Sequence, residues 1–353
     1  MPPEHPSNTD NGLHTLRTAL IGLGRMGVRH ASVLREVELP LGAISDINRE
    51  TCNKVGQEYG VEEKHRYLSA IDMLKQVRPE LVVIATTAPS HHDLVVTAAA
   101  NGARKILCEK PMATSLAECE NMISVCKAAG VDLAINHQMR FMEQYTIPMR
   151  MAASPELGGL GSVVVSAGNF GVAMNGTHYF EMFRLMTDEN PAFVNAWFGD
   201  VDVPNPRGAQ FKDASGSVRL QTPSGKRFFM DCSGDQGLGL HVTYNCRYGR
   251  ISVDELDGSL EYVAREAEYR DLPTTRYGMP STKVVQSITP ADAVAPTLAV
   301  VKALLAGVNY PTGENGLQTM RTLIAAHLSN SRNGATIDLE KDTLPRDLIL
   351  PLA

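Results

Sequence analysis

Apolar positions in the first third of the chain switch repeatedly between two patterns. Residues 17–24, RTALIGLG, are a short apolar run closed by glycine. The following RMGVRHASVLREV has helical spacing at Met26, Ala31, Leu34 and Val37, so a strand feeds a helix. The alternation recurs in PLGAISDI and NRETCNKVGQEYG, in LVVIATTA and APSHHDLVVTAAANG, and in ARKILCEKP and TSLAECENMISVCKAAG, before a last strand, VDLAIN. Leu116, Met122, Ile123 and Val125 give the penultimate helix a packing face. Strands alternating with helices of this length predict a doubly wound, parallel α/β sheet of the Rossmann kind.

From about residue 157 the pattern changes. GGLGSVVVSAGNFG, PAFVNAWFGDVDV, SGSVRLQTPSGKRFFMDCSG and HVTYNCRYGRISVDELDGSLEYVAR are alternating or β-branched runs broken by Gly, Pro and Asp, with TPSGK as a hairpin loop. Short turns between successive strands predict an open, mainly antiparallel sheet in an α+β domain. Helices near 140–153 and 176–187 are expected to cover one face of it. The other face is available to a second subunit, which predicts a homodimer or homotetramer. Helices are expected again at 289–307 and 313–331, with His327 in the core. The segment Tyr269–Thr282 reads as a polar loop, with Arg276 and Tyr277 as possible visitors to a substrate site. The expected organisation is a disordered tail at 1–15, a nucleotide-binding domain at 16–137 and a substrate-binding and oligomerisation domain at 138–353.

At 353 residues the chain exceeds what one core usually serves, in line with two domains. Its six cysteines have no CxxC pairing or zinc-ligand spacing, which argues against a metal module or a disulfide framework and for a reducing cytoplasm. The 33 Lys and Arg against 39 Asp and Glu, net charge −6, lack the basic excess that nucleic acid demands. The first residues lack the charged start and apolar stretch of a secretory signal, and no uncharged run approaches the 18 or so residues a membrane span needs.

The turn after the first strand holds Gly22, Gly24 and Gly27 in GxGxxG spacing. That arrangement permits a tight turn, close approach of backbone N–H groups to a pyrophosphate, and close packing of helix on strand. The helix N-terminus then faces the anion, drawing in Arg25 and Met26. Asp46 ends the second strand nineteen positions beyond Gly27. Its carboxylate can accept from an adenosine ribose hydroxyl and repel a 2′-phosphate, which favours NAD over NADP, while Arg49 nearby softens that exclusion. Asp46 can equally be a helix N-cap, and the two readings are compatible. Ligands bind outside the carboxyl ends of such sheets, which gathers the glycine turn, Asp46, residues 86–92 including Thr87, residues 108–111 and residues 136–140 around one crevice.

The glycine turn, a Pro-x-x-His turn at Pro89 to His92 and the Glu109-Lys110-Pro111 sequence after the fifth strand resemble the glucose-fructose oxidoreductase and inositol dehydrogenase (Gfo/Idh/MocA) family, from about residue 17 to 190. The resemblance implies a catalytic Lys110, a cis peptide bond before Pro111, Glu109 beside the cofactor ribose and His92 near the nicotinamide. It aligns His178 with the family's histidine in the second domain, while Met174 stands where the family has aspartate. Asn136, His137 and Arg140 fall on a crossover that lines the family's substrate pocket. Asn175 can hold a substrate hydroxyl or cap a helix. Glu181, one turn on from His178, can share its helix face, and His91 reads as a turn residue.

Apart from any resemblance, an ammonium at a strand's carboxyl end can hydrogen-bond a substrate oxygen and stabilise alkoxide-like charge. The expected activity is hydride transfer between NAD and a hydroxyl or keto carbon of a sugar, polyol or nucleotide-linked sugar, with Lys110 and His178 catalytic. Two alternatives stand beside it: a non-catalytic NAD-binding regulator on the same scaffold, and an NADP-dependent reductase of a non-sugar carbonyl or imine.

Overall fold

The computed structural model describes residues 16–168, 170–199, 203–237, 239–273 and 279–353. The expected tail, Arg276 and Tyr277 lie outside them. The chain separates into two units: one of residues 1–113, 118–136 and 297–313, the other of residues 114–117, 137–296 and 314–353. Segment 297–313 therefore joins the nucleotide-binding part of the chain, although sequence assigned everything after 137 to the second domain.

In the first unit the order is β1 (Thr18–Ile21), α1 (Arg25–Glu36), β2 (Leu41–Ser45), α2 (Arg49–Glu58), β3 (Arg66–Tyr67), α3 (Ala70–Val77), β4 (Leu81–Ile84), α4 (His91–Ala100), β5 (Lys105–Cys108), α5 (Leu116–Ala129) and β6 (Asp132–Ile135). The sheet runs β3-β2-β1-β4-β5-β6 with every pair parallel. Strands β1 and β4 are buried at every position, as expected of strands covered on both faces. The sheet order reverses between β1 and β4, where doubly wound sheets bind ligands. At its far edge β6 gains a neighbour from the end of the chain: the Ile135 amide donates to the Pro311 carbonyl at 2.9 Å, and Ala134 bridges Thr312.

In the second unit come α6 (Glu143–Ala152), β7 (Leu160–Gly168), α7 (Thr177–Thr187), β8 (Phe193–Phe198), β9 (Gly216–Gln221), β10 (Arg227–Ser233), β11 (Leu240–Cys246), β12 (Gly249–Asp254), β13 (Ser259–Arg265), β14 (Ser281–Ser287), α8 (Val294–Ala306), α9 (Gly313–Ser331) and β15 (Ile337–Asp338), with α8 and α9 straddling the division between units. The sheet order is β14-β13-β12-β11-β7-β10-β9-β8-β15. The expected antiparallel sheet is present, but β7 inserts beside β10 in parallel, so it is not a simple meander. The Thr222 amide meets the Lys226 carbonyl at 3.0 Å in the expected hairpin loop.

One face of this sheet is covered from within the unit. Phe180 and Phe183 of α7 pack on Phe228 of β10 with ring centres 6.0 and 5.5 Å apart. All three rings are buried, each worth about 2–3 kcal/mol. Tyr244 of β11 donates its hydroxyl to the Gln144 carbonyl of α6 at 3.1 Å, and Ser329 of α9 accepts the Ala196 amide of β8 at 2.9 Å. His327 is half-buried against Phe198. Helix α8 starts at Val294, later than expected, because Asp292 accepts the Val294 and Ala295 amides in place of a further helical turn.

Candidate functional site

The parallel register of the first sheet sets the site. Ile21 pairs with Ser45 and with Ile84, Ile84 with Cys108, and Cys108 with Ile135. The ladder runs one residue further, through Gly22 to the Ser45 carbonyl, Ala85 to Ile21, Glu109 to Ile84 and Asn136 to Cys108, each at 2.8 or 2.9 Å. Gly22, Asp46, Ala85, Glu109 and Asn136 therefore end adjacent strands in one row, and four of the five were expected there from sequence.

Gly22 has φ +83°, and a side chain on it would press on the Ala85 carbonyl. A side chain on Gly27 would collide with the Gly22 carbonyl, so α1 lies directly on the turn that precedes it. A side chain on Gly24 would meet nothing within 4 Å. The turn thus leaves open room at the N-terminus of α1, the cradle a pyrophosphate needs for close contact with backbone donors. Arg25 is exposed and Met26 half-buried on the first turn of α1.

Asp46 ties the turn down. Its Oδ2 accepts the Leu23 amide at 2.7 Å and its Oδ1 the Asn48 amide at 2.8 Å. It does not cap α2. Asn48 does, accepting the Thr51 amide at 2.9 Å, and the exposed Arg49 opens the helix.

At the tip of β5, Glu109 is 3 % exposed. His30 Nε2 and Asn136 Nδ2 both lie 2.8 Å from its Oε1, and since a carboxylate only accepts, both nitrogens donate. Burial works against the ionised carboxyl, but the bonds from His30 and Asn136 and the Lys110 charge outweigh it and hold its pKa at about 2. Lys110 is 9 % exposed, and the Lys110–Pro111 bond is cis, as the resemblance implied.

The two histidines of α4 take roles different from those expected. His91 is buried, with Nδ1 2.9 Å from the Pro111 carbonyl and Nε2 3.2 Å from the Thr86 carbonyl, so it ties the β4 turn to the Lys110–Pro111 turn. Burial lowers its pKa, against the pull of those carbonyls and of Glu109. His92 is turned toward α5, with Nε2 2.9 Å from Asn121 and Nδ1 2.8 Å from Asp93. Thr87 caps the short turn Ala88–Ser90 through its backbone, its carbonyl accepting the Ser90 hydroxyl at 2.9 Å.

In the second unit, the His137 and His178 rings meet edge to face with centres 5.5 Å apart, both buried. Glu181 carries two guanidinium groups, bidentate from Arg184 at 2.7 and 3.0 Å and looser from Arg140 at 3.8 Å. Burial lowers the Arg140 pKa against the attraction of Glu181. Asn175 lies in a π-helical turn, Val172–Gly176, that leads into α7, and its side chain makes no cap. The structure thus sets His137 beside His178 and Arg140 beside Glu181.

His30 was missed, although a signal was present: it occupies the α1 stripe otherwise marked by Leu34 and Val37, a polar residue on a core face. Asp213 was missed as well. It is 2 % exposed and binds the Ala173 and Met174 amides at 2.7 and 2.8 Å from a loop forty residues away, which no local pattern announces.

Residues 16–137 match the family described as "Oxidoreductase family, NAD-binding Rossmann fold". A D-apiose dehydrogenase of Paraburkholderia graminis is 26 % identical over 95 % of this chain and 92 % of its own length. A scyllo-inositol 2-dehydrogenase (NAD+) of Bacillus subtilis is 30 % identical over 41 % of this chain and 42 % of its own. In fold, an oxidoreductase from Agrobacterium radiobacter, solved with NAD+, L-tartaric acid and magnesium, superposes with TM-score 0.76 at 21 % identity, covering 92 % of this chain and 98 % of that one. Together, the glycine turn with its open room, the cis Lys110–Pro111 turn in the same sheet and the family match mark residues 16–137 as a NAD-binding Rossmann domain of the Gfo/Idh/MocA oxidoreductase type.

Proposed function

We propose that the chain catalyses NAD-dependent oxidation of a hydroxyl carbon in a sugar or polyol, or the reverse reduction. The observation that carries this reading is the row of strand tips. It joins the open room beside Gly24 to the Glu109-Lys110-Pro111 turn in one sheet. The dehydrogenase relatives, acting on apiose and scyllo-inositol, support the substrate class.

NAD, held through the Gly22–Gly27 turn and Asp46, supplies the two-electron acceptor when bound. Arg25, Met26, Arg49, Thr87 and Pro111 complete the proposed cofactor contacts. His92 is retained only as an outer contact, because its ring is engaged with Asn121. Glu109, ionised and fixed by His30 and Asn136, gives the cofactor end of β5 a permanent negative charge that keeps the neighbouring ammonium of Lys110 in place. Lys110 donates a hydrogen bond to the reacting oxygen and stabilises its developing charge. His178 takes the hydroxyl proton, and Asn136, His137, Arg140 and Asn175 bind the substrate's other polar groups.

The test is to mix purified protein with NAD and a panel of sugars and polyols and follow absorbance of the reduced cofactor. Calorimetry with NAD and NADP tests Asp46, where tighter NADP binding would contradict its role. Cofactor binding without turnover of any polyol would favour the regulator instead.

We further propose a homodimer or homotetramer joined through the open face of the second sheet. Trp197, Val164 and Phe229 are exposed there, at 68 %, 39 % and 37 %, an apolar patch of the kind that marks interaction sites. A cytoplasmic location is supported by six cysteines that are all free thiols, five of them buried. No described helix is long and apolar enough to cross a membrane.

A further inference from the structure

Between β7 and α7 the backbone of the second unit makes the π-helical turn Val172–Gly176, carrying Asn175, and His178 follows on the first turn of the helix. The N-caps of both elements are glycines, Gly171 and Gly176, which offer no side-chain cap. The first three amides of the turn are received from outside, while those of Asn175 and Gly176 go to the Gly171 carbonyl. Asp213 Oδ1 accepts Ala173 N–H at 2.7 Å, Oδ2 accepts Met174 N–H at 2.8 Å, and the next carbonyl, of Ala214, accepts Val172 N–H at 2.9 Å.

Three consecutive amides are thus held by two consecutive residues, and the carboxylate among them is 2 % exposed. A buried carboxylate taking two backbone donors is a strong and directional anchor, because its hydrogen bonds are charge-assisted and no water competes for them. The anchor has been given room: a side chain on Gly171 would run into the Asp213 carboxylate, at a φ of −103° where glycine is not otherwise required. The anchor is itself held, since Asp213 accepts the Val203 amide on its carbonyl at 3.0 Å and its neighbour Lys212 donates to the Pro351 carbonyl at 2.9 Å.

We propose that Asp213 is a positioning residue for the proton-transfer site: its carboxylate sets the backbone of residues 172–176 and thereby the places of Asn175 and His178. This inference rests on the activity proposed above. It adds a residue that neither touches substrate nor belongs to any motif found in the sequence.

Asp213→Asn retains one acceptor oxygen and turns an amide donor toward the other N–H. Asp213→Ala retains neither oxygen. Gly171→Ala leaves the carboxylate in the chain and pushes the turn away from it. Each variant, and the Asp213→Asn/Gly171→Ala double variant, is assayed as the NAD complex for kcat, KM and the pH profile of kcat. NAD affinity is measured alongside by calorimetry. We expect NAD affinity within about twofold of wild type and kcat lowered about tenfold in Asp213→Asn and about a hundredfold in Asp213→Ala, as misplacement of a reacting group by about 1 Å commonly costs. The limb of the pH profile that reports the proton acceptor should shift. The double variant should be no worse than the poorer single one, since both changes break the same contact.

A kcat within twofold of wild type in folded Asp213 variants overturns the proposal. So does a loss of kcat that only tracks loss of NAD affinity, or a double variant whose defect is the product of the single ones. If the Asp213 variants do not fold, Gly171→Ala decides alone, and unchanged kcat in it refutes the idea. A wild-type protein inactive on every polyol sinks the parent reading first and this one with it. An active wild type with fully active variants sinks this one alone.

Discussion

His30 Nε2 lies 2.8 Å from Glu109 Oε1, and both side chains are almost wholly buried, so the carboxylate at the tip of β5 is held by a residue three positions after the last glycine of the turn. His30→Leu should strip that buried carboxylate of one donor and cost about 3 kcal/mol in urea unfolding at pH 7. Glu109 is held at about 2, below its ordinary 4.5, so its stabilising contribution is present above about pH 4.5 and fades as the pH falls toward 2. The gap between wild type and His30→Leu should therefore narrow from pH 5 to pH 3. A gap that stays constant across that range would show that the carboxylate is not the group His30 serves.

The glycines of the turn separate cofactor binding from folding. Gly24→Ala meets nothing in the chain and should leave the thermal midpoint within about 1 °C while weakening NAD binding at least tenfold, because the new methyl takes up room meant for the pyrophosphate. Gly27→Ala forces α1 away from the Gly22 carbonyl and should lower the midpoint as well. Calorimetry and a melting curve on each variant check this; equal NAD affinity in Gly24→Ala would move the pyrophosphate elsewhere.

Lys110→Met removes the charge and keeps most of the volume. We expect kcat to fall by about 10²–10³, the usual effect of losing one group that stabilises developing charge, with NAD affinity within a few-fold of wild type. Steady-state assays beside NAD titration measure both, and a fully active variant removes the lysine from the mechanism.

Glu255 makes the second unit sensitive to alkali. It is wholly buried, Tyr179 donates to its Oε2 at 2.8 Å, and its Oε1 has no hydrogen-bond partner among the described residues. Burial raises its pKa to about 8, with only Tyr179 pulling the other way. The folded chain then holds one more proton than the unfolded chain between about pH 4.5 and 8, so stability from this group is full below that window and declines through it. Glu255→Gln cannot titrate and should gain on wild type in thermal midpoint from pH 5 to pH 9. Parallel pH profiles for the two proteins would disprove the assignment.

What could be read from the residues alone followed from how local each signal is. The order of strands and helices in the first unit, the glycine turn and the strand tips Asp46, Glu109 and Asn136 were legible, because period and spacing carry them. The orientation of side chains within a helix was not. His91 and His92 are neighbours in sequence, yet their packing sends one to the Pro111 carbonyl and the other to Asn121. Strand β14 escaped because it is exposed along most of its length and has no alternation to read. The parallel insertion of β7 beside β10 and the grip of Asp213 on Ala173 and Met174 both depend on contacts across tens of residues, which tertiary packing decides.

The return of residues 297–313 to β6 affects how the nucleotide-binding part can be isolated. Lys105 Nζ bonds Asp132 at 2.7 Å and the Leu304 carbonyl at 2.8 Å, Tyr310 reaches Asp132 at 3.2 Å, and Gly313 sits against Leu133 and Ile123. A fragment cut after residue 137 would bare these apolar side chains and leave an unpaired edge beside Ile135, an invitation to aggregate. Such a fragment, however well it matches the family in sequence, is expected to precipitate or open at that border, whereas grafting residues 297–313 behind a short linker should restore a soluble binder of NAD.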